Sequence, residues 1–248
     1  MKKTCPICRH NSFGIKTVGN FDILKCSFCR LEFCNPVPSE KSCAALYGVD
    51  YKNPRAQPKI VRLNAQKNIK ILRQHGLKRS SKLLDFGCGE NLFVSAVGTT
   101  SWVGYDKYVS QFSNIGSGYD FITLWGTLEH LVDPVSTLKD LVSRLNPRGK
   151  IAATTVFSEF SGVPYQHKPP EHTFYFTRKS IEILFKKVGL RLLEYLPYFM
   201  YQKPDVYFWC VFNAARIPDK IRKKIGWDIK GNVFVPTNEI FIVGEKYS

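Results

Sequence analysis

The chain has 248 residues, 44% apolar and 14% aromatic, which suffices for one large α/β domain with a small appendage and excludes global disorder. No run of 18 apolar residues occurs, and "MKKTCPICRH" lacks the apolar centre of a signal peptide, so the expectation is a cytoplasmic protein without a membrane-spanning helix. The net charge of +16 is unevenly placed: 16 Lys/Arg against 4 Asp/Glu over residues 1–80, 6 against 8 over 81–160, and 14 against 8 over 161–248.

Basic flanks around a near-neutral centre suit an anionic partner: nucleic acid, a phosphorylated or nucleotide-linked small molecule, or an anionic membrane surface. A solvated basic surface without a partner has the same composition.

The first element is a pair of CxxC turns, Cys5-Pro-Ile-Cys8 and Cys26-Ser-Phe-Cys29, seventeen residues apart. That is the spacing of a four-thiolate zinc site, whose closed tetrahedral shell is structural because it leaves no position for substrate. Such a metal replaces the core that so short a segment cannot build. A redox pair or unrelated thiols are the competing readings. Cys34 and Cys43 lie outside the pattern and read as lone thiols. Pro36, Pro38, Pro54 and Pro58 then punctuate a connector. Residues 59–75 place Ile60, Leu63, Ile69 and Leu72 at helical spacing among basic positions, with Gly76 as a stop.

From residue 82 strands alternate with helices. "KLLDFG" reads as a strand, "ENLFVSAV" as a helix, and "SWVGYD" and "YDFITLW" as strands. "DPVSTLKDLVSRL" reads as a helix capped by Asp133, with Pro134 in its first turn. "NPRGKIAATTVF" turns into a strand, "TRKSIEILFKKVGL" is a helix from Thr177 to Gly189, and "RLLEYLPYF" and "NEIFIVGEKY" are closing strands. This alternation predicts an α/β fold with a mainly parallel, Rossmann-like sheet covered on both faces, its ligands at the carboxyl ends of the strands. Residues 198–238 break the pattern with the aromatic and then basic run "DVYFWCVFNAARIPDKIRKKIGW". That run reads as a helical insert, a dimer contact, a membrane-surface helix, or aromatics packed in the core under a basic face.

"LLDFGCGEN" sets an acid at a strand end before two glycines, a device for laying a nucleotide-like ligand against backbone N–H groups. Asp106 ends the next strand and offers a carboxylate to ribose hydroxyls. Leu92 stands where a dinucleotide fingerprint has its third glycine, which weakens the nicotinamide reading. S-adenosylmethionine carries cationic amino and sulfonium groups and no phosphate, so Asp85 suits it better.

In order, "LLDFGCGEN", "WVGYDKY", "YDFITLWGTLEHLVDP", "LNPRGKIAATT" and "EHTFYFTRKSIEILFKKVGL" resemble the class I S-adenosylmethionine-dependent methyltransferases. "CPIC…CSFC", "LEFCNPVPSE" and "LYGVDY" resemble the subgroup with an N-terminal zinc ribbon, which includes sugar C-methyltransferases and glycan and lipid methyltransferases. The resemblance spans about residues 5–196. It implies residues 1–50 as zinc ribbon and linker, residues 51–248 as methyltransferase domain, bound S-adenosylmethionine, and methyl transfer. Carried over by position, Asp85, Gly87 and Gly89 form the methionine-end turn, Asp106 holds the ribose, and Trp125, Gly126 and Thr127 border the sulfonium. Glu129 and His130 belong to the family's Glu-His element, either as a support for a helix start or near the chemistry. The chain departs from the family between Tyr108 and Tyr119, where about a dozen residues replace a helix, a strand and an adenine-contacting loop.

"PYQHKPPEHTFYFT" resembles the Glu-His element of sugar C-methyltransferases, in which the histidine serves as base. Its candidates are His167, Glu171, His172 and Tyr175, with Pro169 and Pro170 where that group often has tyrosine and histidine. Three readings follow. The first is methyl transfer to a small-molecule or glycan acceptor, anionic and nucleotide-linked or lipid-linked. The second is RNA methylation, with the basic ribbon gripping backbone. The third is a non-catalytic methyltransferase fold kept for assembly. The oligomeric state is not legible.

Overall fold

The computed structural model describes residues 3–47, 57–99, 101–159, 167–204 and 231–248. The N-terminal segment folds as β1 (Lys3–Thr4), β2 (Asn11–Val18), β3 (Phe21–Cys26) and β4 (Glu32–Asn35). The residue after each CxxC turn, Arg9 at φ 65° and Arg30 at φ 63°, takes the left-handed conformation that reverses the chain. The two turns are thus conformational copies.

The connector is not plain loop. It holds α1 (Glu40–Tyr47), which buries Cys43. Next come α2 (Pro58–Gln74), β5 (Leu83–Phe86), α3 (Leu92–Ser95) and β6 (Trp102–Tyr105). Pro58 occupies the first turn of α2, and Gly76 at φ 95° ends it while Leu77 N donates to Leu72 O at 3.0 Å. The helix expected over "ENLFVSAV" is shorter than its apolar run: Asn91 at φ 56° delays the start and Gly98 at φ 65° closes the end.

Between β6 and β7 (Tyr119–Trp125) the described residues hold a single 3-10 turn, Ser110–Phe112, and no strand. Then follow α4 (Pro134–Ser143), β8 (Leu145–Val156), β9 (Phe174–Tyr175), α5 (Arg178–Val188), β10 (Leu190–Gln202) and β11 (Val233–Lys246). Asp133 caps α4 through Ser136 N at 3.0 Å, and Thr177 and Ser180 form a reciprocal capping box on α5.

The larger sheet has the order β10-β11-β8-β7-β5-β6, with β5, β6, β7 and β8 parallel and β11 antiparallel to both neighbours. Strand alternation sorts its core into two layers. Leu83, Phe121, Ala152, Phe241 and Val243 face α2 and α3. Leu84, Ile122, Leu124, Ile151, Ala153, Ile240 and Ile242 face α4 and α5. The insert expected over 198–238 is in part this sheet, because β10 runs on to Gln202 and β11 starts at Val233. The aromatic–basic core of that insert, residues 205–230, lies outside the described residues.

The smaller sheet has the order β1-β2-β3-β4-β9, so its last strand comes from the C-terminal half. Glu32 and Phe33 pair with Tyr175 and Phe174. Ile7, Leu24, Leu31 and Phe33 share one buried cluster with Leu138, Ile181, Leu184 and Phe185 of α4 and α5. The division at residues 50 and 51 follows the chain, while the packing crosses it.

Candidate functional site

The tip of β5 carries Asp85, which is 3% exposed and accepts from Thr123 Oγ1 at 2.8 Å. Burial raises its pKa to about 7; the Thr123 bond opposes the rise and the charge of Asp106 adds to it. The following turn is left-handed at Gly87 (φ 76°), Gly89 (φ 50°) and Asn91 (φ 56°). It is pinned by Gly87 N to Tyr105 O at 2.8 Å and by Gly89 N to Asp106 Oδ2 at 2.9 Å. The other oxygen of Asp106 accepts Tyr108 N at 2.8 Å. A carboxylate has about four acceptor sites, so Asp106 can brace the turn and still take two ribose hydroxyls.

The two glycines differ in what faces them. A Cβ on Gly87 would meet Thr127 Cγ2 and Oγ1 at 2.6 Å, whereas a Cβ on Gly89 would have nothing within 4 Å. The open backbone at Gly89 beside the Asp106 carboxylate fits an S-adenosyl group. At the tip of β7, Gly126 (φ 59°) donates its N–H to Thr154 Oγ1 at 3.0 Å. Trp125 does not border the crevice with its ring, which packs in the core between Phe93 and Phe241 at centroid distances of 5.2 and 6.0 Å. It ends an alternating strand on the α2 face, so its indole turns inward.

Past Gly126 the chain makes a 3-10 turn, Leu128–His130, which carries the Glu-His element. Glu129 is 2% exposed; Thr155 Oγ1 donates to its Oε2 at 2.8 Å, and its carbonyl accepts Thr173 N at 2.8 Å. Burial raises the Glu129 pKa to about 7 and lowers that of His130. His130 Nδ1 lies 2.6 Å from Glu171 O and 2.6 Å from Tyr47 Oη, and Tyr47 Oη donates to Glu171 O at 3.1 Å. A proton on Nδ1, donated to both oxygens, satisfies all three contacts and leaves the Nε2 lone pair toward Glu129 Oε1, 3.8 Å away. The His172 ring meets that of His130 edge-on at 4.9 Å. One donor atom from each of Glu129, His130 and His172 falls within 4.8 Å of the others.

The remaining candidates stand one layer back. Glu171 contributes its carbonyl to this contact network. Tyr175 is fully buried, and its hydroxyl donates to His172 O at 2.9 Å and accepts Lys168 N at 3.0 Å, so it shapes the turn that presents His172. His167 pairs with Glu32 at 2.8 Å, and Lys25 pairs with the other oxygen of Glu32 at 2.7 Å, which ties the same loop to β4. Tyr47, Thr123 and Thr155 carry contacts that the sequence did not single out. Tyr47 lies within the quoted aromatic linker, and α1 brings it in by stacking it on Tyr108 at 6.0 Å and pairing Glu40 with Lys107 at 2.6 Å.

The four cysteines of the CxxC turns converge. Cys5 and Cys29 Sγ are 3.6 Å apart, Cys8 and Cys26 Sγ 3.4 Å, and all four lie within 4.8 Å of one another. Phe28 N and Cys29 N both donate to Cys26 Sγ at 3.4 Å. Four thiolates around one ion at about 2.3 Å stand about 3.8 Å apart, close to this spacing. The hydrogen bond shared with Cys29 lowers the Cys5 pKa.

The pattern of a family described as "Methyltransferase domain" matches residues 58–195. No curated protein matches the chain significantly. Solved structures that resemble it include the complex between the Haloferax volcanii Trm112 methyltransferase activator and a methyltransferase, at 12% identity and TM-score 0.51, covering 78% of this chain and 94% of that one. An S-adenosylmethionine-dependent methyltransferase from Clostridium acetobutylicum has 10% identity and TM-score 0.47 over 76% and 92% of the two chains. The YcgJ protein from Bacillus subtilis has 11% identity and TM-score 0.48 over 74% and 99%. The family match spans more than half of the sequence and takes in both the glycine turn and the Glu-His element: the chain belongs to the methyltransferase-domain family and is an S-adenosylmethionine-dependent methyltransferase.

Proposed function

We propose that this enzyme methylates a small-molecule or glycan acceptor, of the nucleotide-linked or lipid-linked sugar class, held at the Glu129–His130–His172 cluster. The observation that carries the reading is the length of chain between the two half-sites. Gly126, at the tip of the strand beside the glycine turn, is three residues from Glu129 and four from His130. An acceptor on the histidines and a cofactor on the turn would therefore meet over one strand end.

Bound S-adenosylmethionine supplies an electrophilic methyl group on a sulfonium. Gly87 and Gly89 would give it a tight backbone bend, Asp106 would hold its ribose, and Asp85 would stand toward its cationic end. The acceptor side needs alignment above all, since in-line displacement gains most from holding reactants close. His130, fixed by Tyr47 and Glu171 O, and His172, fixed by Tyr175, are rigid enough to do this. Where the acceptor must lose a proton, a neutral imidazole is suited to take it near pH 7. The Cys5–Cys8–Cys26–Cys29 group holds a structural zinc in this reading.

A second reading, RNA as acceptor, is favoured by one feature. Lys59, Arg62, Lys70 and Arg73 line the exposed side of α2, a helix without a single acid. It predicts an affinity that falls steeply with salt, nearly one log unit per log of salt for each phosphate contacted. Among the described residues no helix is long and apolar enough to cross a membrane.

Labelled S-adenosylmethionine supplied with fractionated extract tests the proposal. Label in nucleotide sugars, lipid-linked saccharide or polysaccharide is expected; label in RNA alone would replace this reading with the second. His172→Ala should slow transfer and leave affinity for S-adenosylhomocysteine intact, and wild-type rates would remove the cluster from the mechanism.

A further inference from the structure

We infer that Glu129, His130 and His172 form a second metal site, for a divalent first-row transition ion, open to an oxygen of the acceptor. The inference rests on the acceptor site proposed above and specifies how that site grips its ligand. The first ground is spacing. His130 Nε2 and Glu129 Oε1 stand 3.8 Å apart, too far to hydrogen-bond. Two donors sharing one ion at about 2.0–2.2 Å stand about 3.0–3.6 Å apart. A few tenths of an ångström of closure converts this gap into coordination, and the His172 donor lies within the same 4.8 Å sphere.

The second ground is what stands behind the ligands. A ligating histidine almost always gives its other N–H to a carbonyl or carboxylate, which fixes tautomer and ring orientation. His130 has that arrangement, with Nδ1 at 2.6 Å from Glu171 O. The ligating carboxylate should itself be held, and Glu129 Oε2 takes a hydrogen bond from Thr155 Oγ1 at 2.8 Å, leaving Oε1 toward the histidine. His172 is set by its carbonyl, which accepts from Tyr175 Oη at 2.9 Å and from Cys34 Sγ at 3.2 Å.

The third ground is burial. Glu129 is 2% exposed, and among the described residues its one ion-pair partner within 4 Å is His130. A carboxylate so placed is costly unless a cation joins it. Two imidazoles and one carboxylate favour ions of the Mn²⁺ to Zn²⁺ series, while the four thiolates of the ribbon select zinc. Three protein ligands leave positions open, as in reactive sites, so the acceptor would enter as an oxygen donor such as a sugar hydroxyl. The ion uses the lone pairs that would otherwise accept a proton, so the histidines then act as ligands.

The test uses the full chain with its ribbon zinc retained. Mn²⁺ is titrated in and the free ion followed by electron paramagnetic resonance, with total metal counted by mass spectrometry. One Mn²⁺ per chain beyond the ribbon ion is expected. Thr155→Val, which keeps the buried shape, should weaken it about tenfold or more, and His172→Ala more strongly. Absence of uptake of Mn²⁺, Co²⁺ or a second Zn²⁺ overturns the site, as does uptake unchanged in both variants. Affinity for S-adenosylhomocysteine is measured alongside. If it binds and methyl transfer survives chelation without ion uptake, only the metal site fails. If it does not bind, the cofactor assignment fails whatever the ions do.

Discussion

Gly87 and Gly89 sit two residues apart in one turn, yet alanine at each should do different damage. Both have positive φ, 76° and 50°, which costs a non-glycine residue roughly 1–2 kcal/mol. At Gly87 the new Cβ would also sit 2.6 Å from Cγ2 and Oγ1 of Thr127 and 3.2 Å from its Cβ. Overpacking of that kind adds about 1–3 kcal/mol, so Gly87→Ala should lose about 2–5 kcal/mol in urea denaturation. Thr127→Ala removes the two atoms at 2.6 Å and leaves the one at 3.2 Å. The double variant should therefore recover the overpacking part, about 1–3 kcal/mol, and keep the conformational part. Gly89→Ala meets nothing within 4 Å and should cost only the conformational part. Its methyl instead fills the space assigned to the cofactor, so calorimetric affinity for S-adenosylhomocysteine should fall at least about tenfold, or about 1.4 kcal/mol. Wild-type affinity in Gly89→Ala would refute the crevice, and simple additivity of Gly87→Ala with Thr127→Ala would refute the contact.

Two further outcomes follow from titrating groups. Asp85 has its folded pKa raised to about 7 by burial, so the cofactor-free protein should lose stability as pH rises from about 4 to about 7. The α-ammonium of S-adenosylhomocysteine needs the carboxylate as its partner, so affinity for that ligand should drop about tenfold per unit below pH 7 and level off above it; Asp85→Asn should flatten both profiles, and an unchanged slope in that variant would assign the titration elsewhere. For Glu32, burial opposes the charged form, but the hydrogen bonds with His167 and Lys25 outweigh it and lower the pKa. Its stabilising contribution is present above the ordinary carboxylate range and is lost on acidification, and Glu32→Gln should cost about 1–3 kcal/mol at pH 7 by thermal melting; an unaltered melting profile would show the network to be idle.

The legible parts of the sequence were those where local chemistry and global fold agree. The strand that carries Asp85, which runs one residue past it to Phe86, is set by neighbours in sequence, as are the caps at Asp133 and Thr177 and the stop at Gly189, which the structure has at those positions. The CxxC spacing likewise brings four sulfurs together because each turn is local. Three features were hidden because they depend on distant partners. Trp125 ends an apolar run and reads as reaching the ligand, yet its ring is committed to Phe93 and Phe241, contributed by α3 and β11. Tyr175 reads as a catalytic hydroxyl until β4 pairs with β9 and buries it. Tyr47 reaches His130 across 83 positions because α1 folds over Tyr108, a docking that periodicity in eight residues does not reveal.

The stretch that starts at the end of the second CxxC turn also braces the loop that carries His172. Cys29 O accepts from Thr177 Oγ1 at 2.7 Å, Glu32 pairs with His167 at 2.8 Å, Phe33 pairs with Phe174, and Cys34 donates to His172 O at 3.2 Å. Residues 29–34 thus hold residues 167–177 at four successive points, whereas the glycine turn rests on β5 and β6 of the other sheet. If the four cysteines hold zinc, as proposed, Cys26→Ser should release the loop that presents His172 before it disturbs the turn. The expected split is a fall of at least about tenfold in kcat/KM for the acceptor, about 1.4 kcal/mol of transition-state stabilisation, at nearly constant affinity for S-adenosylhomocysteine. If both fall together in proportion, the ribbon supports the whole fold without selectivity, and its role as a clamp on the acceptor side is wrong.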